Sequence, residues 1–148
     1  MPSLSQAFTQ GFAQVDVVLG VPAARVRALH RAGRQSPSPV TTTALIDTGS
    51  HFTYIDPSVR RALNLVPYTT ASALTPASPA TVACYQFKVD LTIKYPGAAG
   101  QLFLLRHLLP VAELAISHLG ADVSIGCEFL ADCVFVYRGP QGQFTLAY

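Results

Sequence analysis

The chain has 148 residues, half of them hydrophobic and only 12% charged, with a net charge of +2; that is enough for one compact domain with a sizeable core and too apolar for a disordered tail. The basic residues are scattered and form no dense stripe, which argues against a nucleic-acid partner. No apolar run approaches the ~20 residues that span a bilayer, and Met1-Pro2-Ser3-Leu4-Ser5 lacks a basic-then-apolar leader pattern, so a soluble, cytoplasmic protein without a membrane partner is expected.

Residues 1–14 offer no clear element and are set apart as an N-terminal extension, with the domain proper expected over 15–148. Val15 to Leu19 reads as a first strand, being dominated by β-branched residues before Gly20. Pro22 suits a first helical position, Ala23 to Ala32 are good helix formers, and Gly33 suits the stop. Two prolines make Arg34 to Pro39 a surface connection. Thr41 to Ile46 is the second strand, turning at Asp47-Thr48-Gly49-Ser50, and Phe52 to Ile55 resumes an extended course. Asp56 before Pro57 matches an N-cap followed by proline, which predicts a short helix over Val59 to Leu63, ending near Asn64. Pro67 to Thr81, rich in Thr, Ser, Ala and Pro, reads as an extended, exposed excursion.

Tyr85 to Tyr95 alternates Phe87, Val89, Leu91 and Ile93 against Lys88, Asp90, Thr92 and Lys94, the period of a half-buried strand. Pro96 to Gly100 is its turn and Leu102 to Leu105 the returning strand. Ile125-Gly126 precedes a short helix near Glu128 to Asp132, and Val134 to Tyr137 with Phe144 to Tyr148 form a hairpin around Gly139-Pro140-Gln141-Gly142. Cys84, Cys127 and Cys133 are odd in number and contain no Cys-x-x-Cys pair, so buried free thiols are expected in place of a disulfide framework or zinc site.

The chemistry concentrates at Asp47. Its carboxylate follows an apolar strand and precedes a hydroxyl, a glycine and a second hydroxyl; Gly49 permits close backbone approach, while Thr48 and Ser50 offer hydrogen bonds. Asp-Thr-Gly-Ser is equally a good turn sequence, and spacing alone leaves both readings open.

Ala44-Leu45-Ile46-Asp47-Thr48-Gly49-Ser50, followed by Thr53-Tyr54-Ile55-Asp56, resembles the active-site region of retropepsin-like aspartic proteases. Asp122-Val123-Ser124-Ile125-Gly126-Cys127-Glu128-Phe129-Leu130 is similar to the glycine-and-helix element beneath that loop in the family. Phe144-Thr145-Leu146 is similar to the C-terminal strand of bacterial single-domain members. The resemblance implies an all-β, single-domain half-barrel with short helices that assembles as a two-fold dimer. It implies an aspartic endopeptidase in which Asp47 is catalytic, Thr48 braces the paired loops and Gly49 shapes the turn. Ser50 hydrogen-bonds the carboxylate in this scheme and joins Ile125 and Gly126 on the substrate side, and Thr69 to Thr81 is the flap. A single Asp-Thr-Gly per chain calls for a second aspartate from a symmetry mate. The substrate implied is a polypeptide, and no cofactor is required.

Two departures stand out: Ser124 replaces a usual apolar residue, and Cys127 a common arginine that contributes to subunit contacts. The alternative to a protease is a binding or assembly module that keeps the fold and hydrolyses little. His30, His51, His107 and His118 show no ligand spacing, so no metal is expected. Asp56 reads as a helix cap, and Asp122 and Asp132 as ordinary loop or helix-end residues.

Overall fold

The computed structural model describes residues 1–75, 78–96 and 101–148; the expected turn residues 97–100 lie outside these. The strands are β1 (Ser3–Ala7), β2 (Gln14–Gly20), β3 (Val40–Ile46), β4 (Thr53–Ile55), β5 (Thr69–Thr75), β6 (Ser78–Lys94), β7 (Leu102–Glu113), β8 (Val123–Ile125), β9 (Val134–Arg138) and β10 (Gln143–Ala147). The helices are α1 (Ala23–Arg31), α2 (Pro57–Ala62) and α3 (Cys127–Leu130). Among the described residues strands take 50% and helix, counting the 3-10 turns Ser117–Leu119 and Gly139–Gln141, takes 18%, a mostly β architecture with short helices. Among the described residues no helix is long and apolar enough to cross a membrane.

One sheet runs β2-β3-β8-β4-β7-β6-β5, and pairing of β2 with β6 through Val17↔Ile93 and Leu19↔Leu91 closes six of its strands into a barrel. Closure removes the free edges of those six strands. The alternation expected in β6 holds: Phe87, Val89, Leu91 and Ile93 are 1% exposed or less, and Lys88 faces solvent. These side chains meet Val15, Val17 and Leu19 of β2 in the core, each stabilising the fold by roughly 1.5–3 kcal/mol relative to exposure.

Several elements extend further than local sequence predicts. β6 starts at Ser78, well before Tyr85, because β5 pairs with it antiparallel from Thr69↔Gln86 to Leu74↔Thr81. The 67–81 excursion is therefore largely one arm and the start of the other in a hairpin, and it is not wholly exposed: Ala73 is 4% exposed and packs with Cys84, Tyr54 and Ile116. β7 continues past Leu105 to Glu113. The apparent break is a bulge, where Leu108 takes φ +52°. Asp90 holds that conformation, its Oδ1 accepting the Leu108 N–H at 2.9 Å and its Oδ2 lying 3.1 Å from His107 Nδ1.

The N-terminal segment is not a detached tail. β1 pairs antiparallel with β10 from Ser3↔Ala147 to Ala7↔Gln143, and Leu4 is buried in the main core. Its affinity for β10 is invisible locally because the partner lies at the other end of the chain. β10 also pairs with β9, forming the expected C-terminal hairpin and placing β10 at the centre of a three-stranded sheet. The thiols are all free, but only Cys84 is buried; Cys127 is exposed at the start of α3, a departure from the expectation of buried thiols.

Candidate active site

Asp47 sits where β3 ends, and the arrangement of three short strands places it there. β8 lies between β3 and β4, parallel to the first through Ile46↔Ile125 and antiparallel to the second through Tyr54↔Ser124. The chain leaving β3 must therefore cross the end of β8 to reach β4, and residues 47–52 make that crossing. Asp47 N–H donates to the Ile125 carbonyl at 2.9 Å, which fixes the loop to β8 at its first residue. Ser50 N–H donates to the Asp47 carbonyl at 3.2 Å and closes the turn.

The far side of the loop is fixed by α3. Cys127 N–H donates to the Ser50 carbonyl at 2.8 Å and Glu128 N–H to the His51 carbonyl at 3.1 Å. The Glu128 side chain returns the contact, its Oε1 accepting the Thr53 N–H at 2.8 Å. Burial pushes the Glu128 carboxyl above its ordinary value, against the lowering effect of that bond. Thr53 Oγ1 in turn accepts the Gly126 N–H at 3.2 Å, and the Cys127 thiol donates to the Thr48 carbonyl at 3.3 Å.

This lattice leaves the carboxylate of Asp47 exposed and oriented. Gly49 N–H donates to Oδ1 at 3.0 Å, and Ser124 Oγ, on β8, lies 3.5 Å from Oδ2. Thr48 and Gly49 are exposed beside it. Ser50, expected to bond the carboxylate, instead donates through Oγ to the Phe52 carbonyl at 2.8 Å, a nearer acceptor across the same turn. Its contribution to the cleft wall remains.

In front of Asp47 lies a cleft of about 750 Å³, walled by the loop through Phe52, by Ser72, Ala73 and Thr81 of the β5–β6 hairpin, and by Leu114, Ile116 and Leu119. Its volume is that of a small-ligand or short-peptide site, and its wall is mostly apolar, with Asp47, His51 and a few hydroxyls as its polar groups. Tyr54 stands on its floor; burial pushes the phenol upward, with Cys84, Glu128 and Asp47 adding in the same direction.

Of the other residues expected on the substrate side, Ile125 is fully buried in the core and Gly126 packs beneath the Phe52 carbonyl; neither lines the cleft. Asp56 is a helix cap, as its sequence setting indicates, and more: Oδ1 accepts Ser58 N–H at 3.0 Å while Oδ2 accepts Ile116 and Ser117 N–H at 3.1 Å each. It thereby fixes the 116–117 segment whose Ile116 forms part of the cleft wall. Asp122 is structural, its Oδ2 accepting Thr42 Oγ1–H at 2.6 Å, and Asp132 pairs with Arg106 at 3.2 Å. The cleft residues not assigned to the site from sequence include Ser124, His51, Phe52 and Tyr54, and the wall formed by Leu114, Ile116 and Leu119. Ser124 had a signal, since Val123 and Ile125 face the core and strand alternation sends the residue between them to the opposite face.

No protein-family model matches the chain, and no curated protein sequence matches it significantly. Its fold, however, is similar to the crystal structure of a retropepsin-like aspartic protease from Rickettsia conorii, with a TM-score of 0.59 at 11% identity over 99% of this chain and 90% of that one. The chain thus has a retropepsin-like fold. Likeness at that identity speaks for the fold alone, and function rests on the site.

Proposed function

We propose that the protein is an aspartic endopeptidase whose working unit is a homodimer, each chain supplying one Asp47 to a shared pair. The observation that carries this is the exposed, hydrogen-bonded Asp47 carboxylate at the mouth of a peptide-sized cleft faced by a β-hairpin. Exposure of Asp47, Thr48 and Gly49 together leaves the loop tip accessible to a second copy. Two carboxylates about 3 Å apart share one proton, because both cannot ionise easily in such proximity. The ionised member then takes a proton from a water held between them, and the protonated member donates to the scissile carbonyl oxygen as the water attacks its carbon. Collapse of the tetrahedral adduct returns a proton to the leaving amine. Thr48 braces the paired loops and Gly49 keeps the turn narrow. Ser50 and the β5–β6 hairpin hold an extended polypeptide against the pair.

Asp47→Asn tests this, since the amide keeps the shape of the carboxylate but cannot share the proton or activate water. The variant is expected to fold and sediment like the wild type and to lose peptide hydrolysis by several orders of magnitude. Mixing equal amounts of the two proteins gives a second reading: about one quarter of the re-equilibrated dimers carry two aspartates, so activity per wild-type chain should fall to about half. A fully active Asn variant, or activity proportional to the wild-type chains alone after exchange, would refute the shared pair. Inactivity of both proteins on a broad peptide library would favour a binding module.

A further inference from the structure

We propose that Ser124 is a positioning residue for Asp47, supplying from β8 the second hydrogen bond that fixes the plane of the carboxylate and favours its ionised form; this rests on Asp47 acting as the proposed catalytic acid–base. Asp47 Oδ1 is already taken by the Gly49 N–H at 3.0 Å, whereas Oδ2 faces Ser124 Oγ at 3.5 Å. The adjacent hydroxyl cannot do this work, because Ser50 Oγ donates to the Phe52 carbonyl at 2.8 Å. The Ser124 contact is long, as catalytic hydrogen bonds commonly are in an unliganded site, and a small χ1 adjustment closes it.

Its setting favours the role. Ser124 is 6% exposed, and its backbone is held on both sides, paired with Leu45 of β3 and Tyr54 of β4. Val123 and Ile125 anchor the strand in the core while the hydroxyl opens onto the cleft. Two donors from separate elements, one on the loop and one on the strand beneath it, define an orientation that either alone leaves free to rotate. An apolar side chain at 124 would present no donor to Oδ2.

The other ionisable groups around the site are His51 on the same loop as Asp47, Tyr54 on β4, Cys84 on β6 and Glu128 on α3, which act on Tyr54, and Cys127 on α3, whose thiol meets the Thr48 carbonyl, together with the second Asp47 of the pair. Ser124→Ala removes none of them. Losing a hydrogen bond to the ionised form should move the acidic limb of the pH–rate profile upward. For Ser124→Ala we expect kcat to fall about tenfold with KM within about twofold, the pattern of an interaction used mainly in the transition state. Ser124→Thr, which keeps the hydroxyl, should restore most of the rate and the original limb.

A carbon-13 NMR titration of the Asp47 carboxyl, wild type against Ser124→Ala, reads the same contact without turnover, and its midpoint should move upward in the alanine variant. An unchanged midpoint and acidic limb in folded Ser124→Ala overturns the proposal, as does failure of threonine to rescue. A shifted midpoint in a protein that cleaves no peptide upholds the Ser124 contact while removing the protease reading, so the two failures are distinguishable.

Discussion

Gly126 lies directly beneath the carbonyl of Phe52, so that a Cβ on Gly126 would collide with the Phe52 oxygen and come within 2.8 Å of the His51 oxygen. The requirement is steric and not conformational, because Gly126 has φ −93°, which any residue adopts. Backbone on both sides leaves nothing flexible to yield: the loop is held to α3 by Cys127 and Glu128 N–H, and Gly126 to Thr53. Gly126→Ala is therefore expected to cost about 3 kcal/mol, at the upper end of overpacking effects, and to lower Tm by roughly 10 °C. Calorimetry checks this, and a variant melting within about a degree of the wild type would contradict the close approach.

Asp56 supplies a prediction on acid stability. Burial opposes its charge, but the Ser58, Ser117 and Ile116 N–H groups outweigh burial and hold the carboxyl down from 3.8 to about 2. A depressed folded value means that the stabilisation is present above the ordinary value and is lost as pH falls from there toward about 2. The contribution at neutral pH is about 2 kcal/mol. Asp56→Asn should lose roughly that much in urea unfolding at neutral pH, with the difference from wild type shrinking as both are acidified below the ordinary carboxylate range. A difference constant with pH would show that the charge is not what matters.

Glu128 behaves with the opposite sign. Burial raises its folded value, so its contribution is complete below the ordinary value of 4.5 and is lost as pH rises through the raised one. Glu128→Gln removes that dependence and keeps an oxygen for the fully buried Thr53 N–H, so its stability at neutral pH should equal or slightly exceed the wild type's. Glu128→Ala leaves that N–H without its acceptor and should cost about 1–3 kcal/mol. Chemical denaturation of the three proteins from mildly acidic to neutral pH separates the two effects; a glutamine variant as weak as the alanine one would sink this account.

Much of the architecture was legible where it depends on neighbours in the chain. The alternation of Phe87, Val89, Leu91 and Ile93 marks one face of a strand whatever that strand pairs with. Asp56 before Pro57 specifies a capped helix start, borne out by the bond from Ser58 N–H. Gly33, at φ +67°, follows α1 where a stop was read. The turn residues of Asp47-Thr48-Gly49-Ser50 likewise declare a bend after an apolar strand.

What sequence could not settle is which distant segments meet. β1 is an ordinary stretch of serine, leucine and glutamine until β10 pairs with it across the length of the chain. β7 appears to end at Leu105 until Asp90, on another strand, supports Leu108 in a conformation its own side chain disfavours. At the site, the Asp-Thr-Gly-Ser segment determined that a carboxylate stands in a turn. Tertiary structure decided its hydrogen bonds, turning Ser50 to Phe52 and bringing Ser124 beneath Asp47. The physical reason is that backbone propensity and capping act over a few residues, whereas strand pairing and side-chain hydrogen bonding are settled by whichever groups the closed barrel brings within a few ångströms.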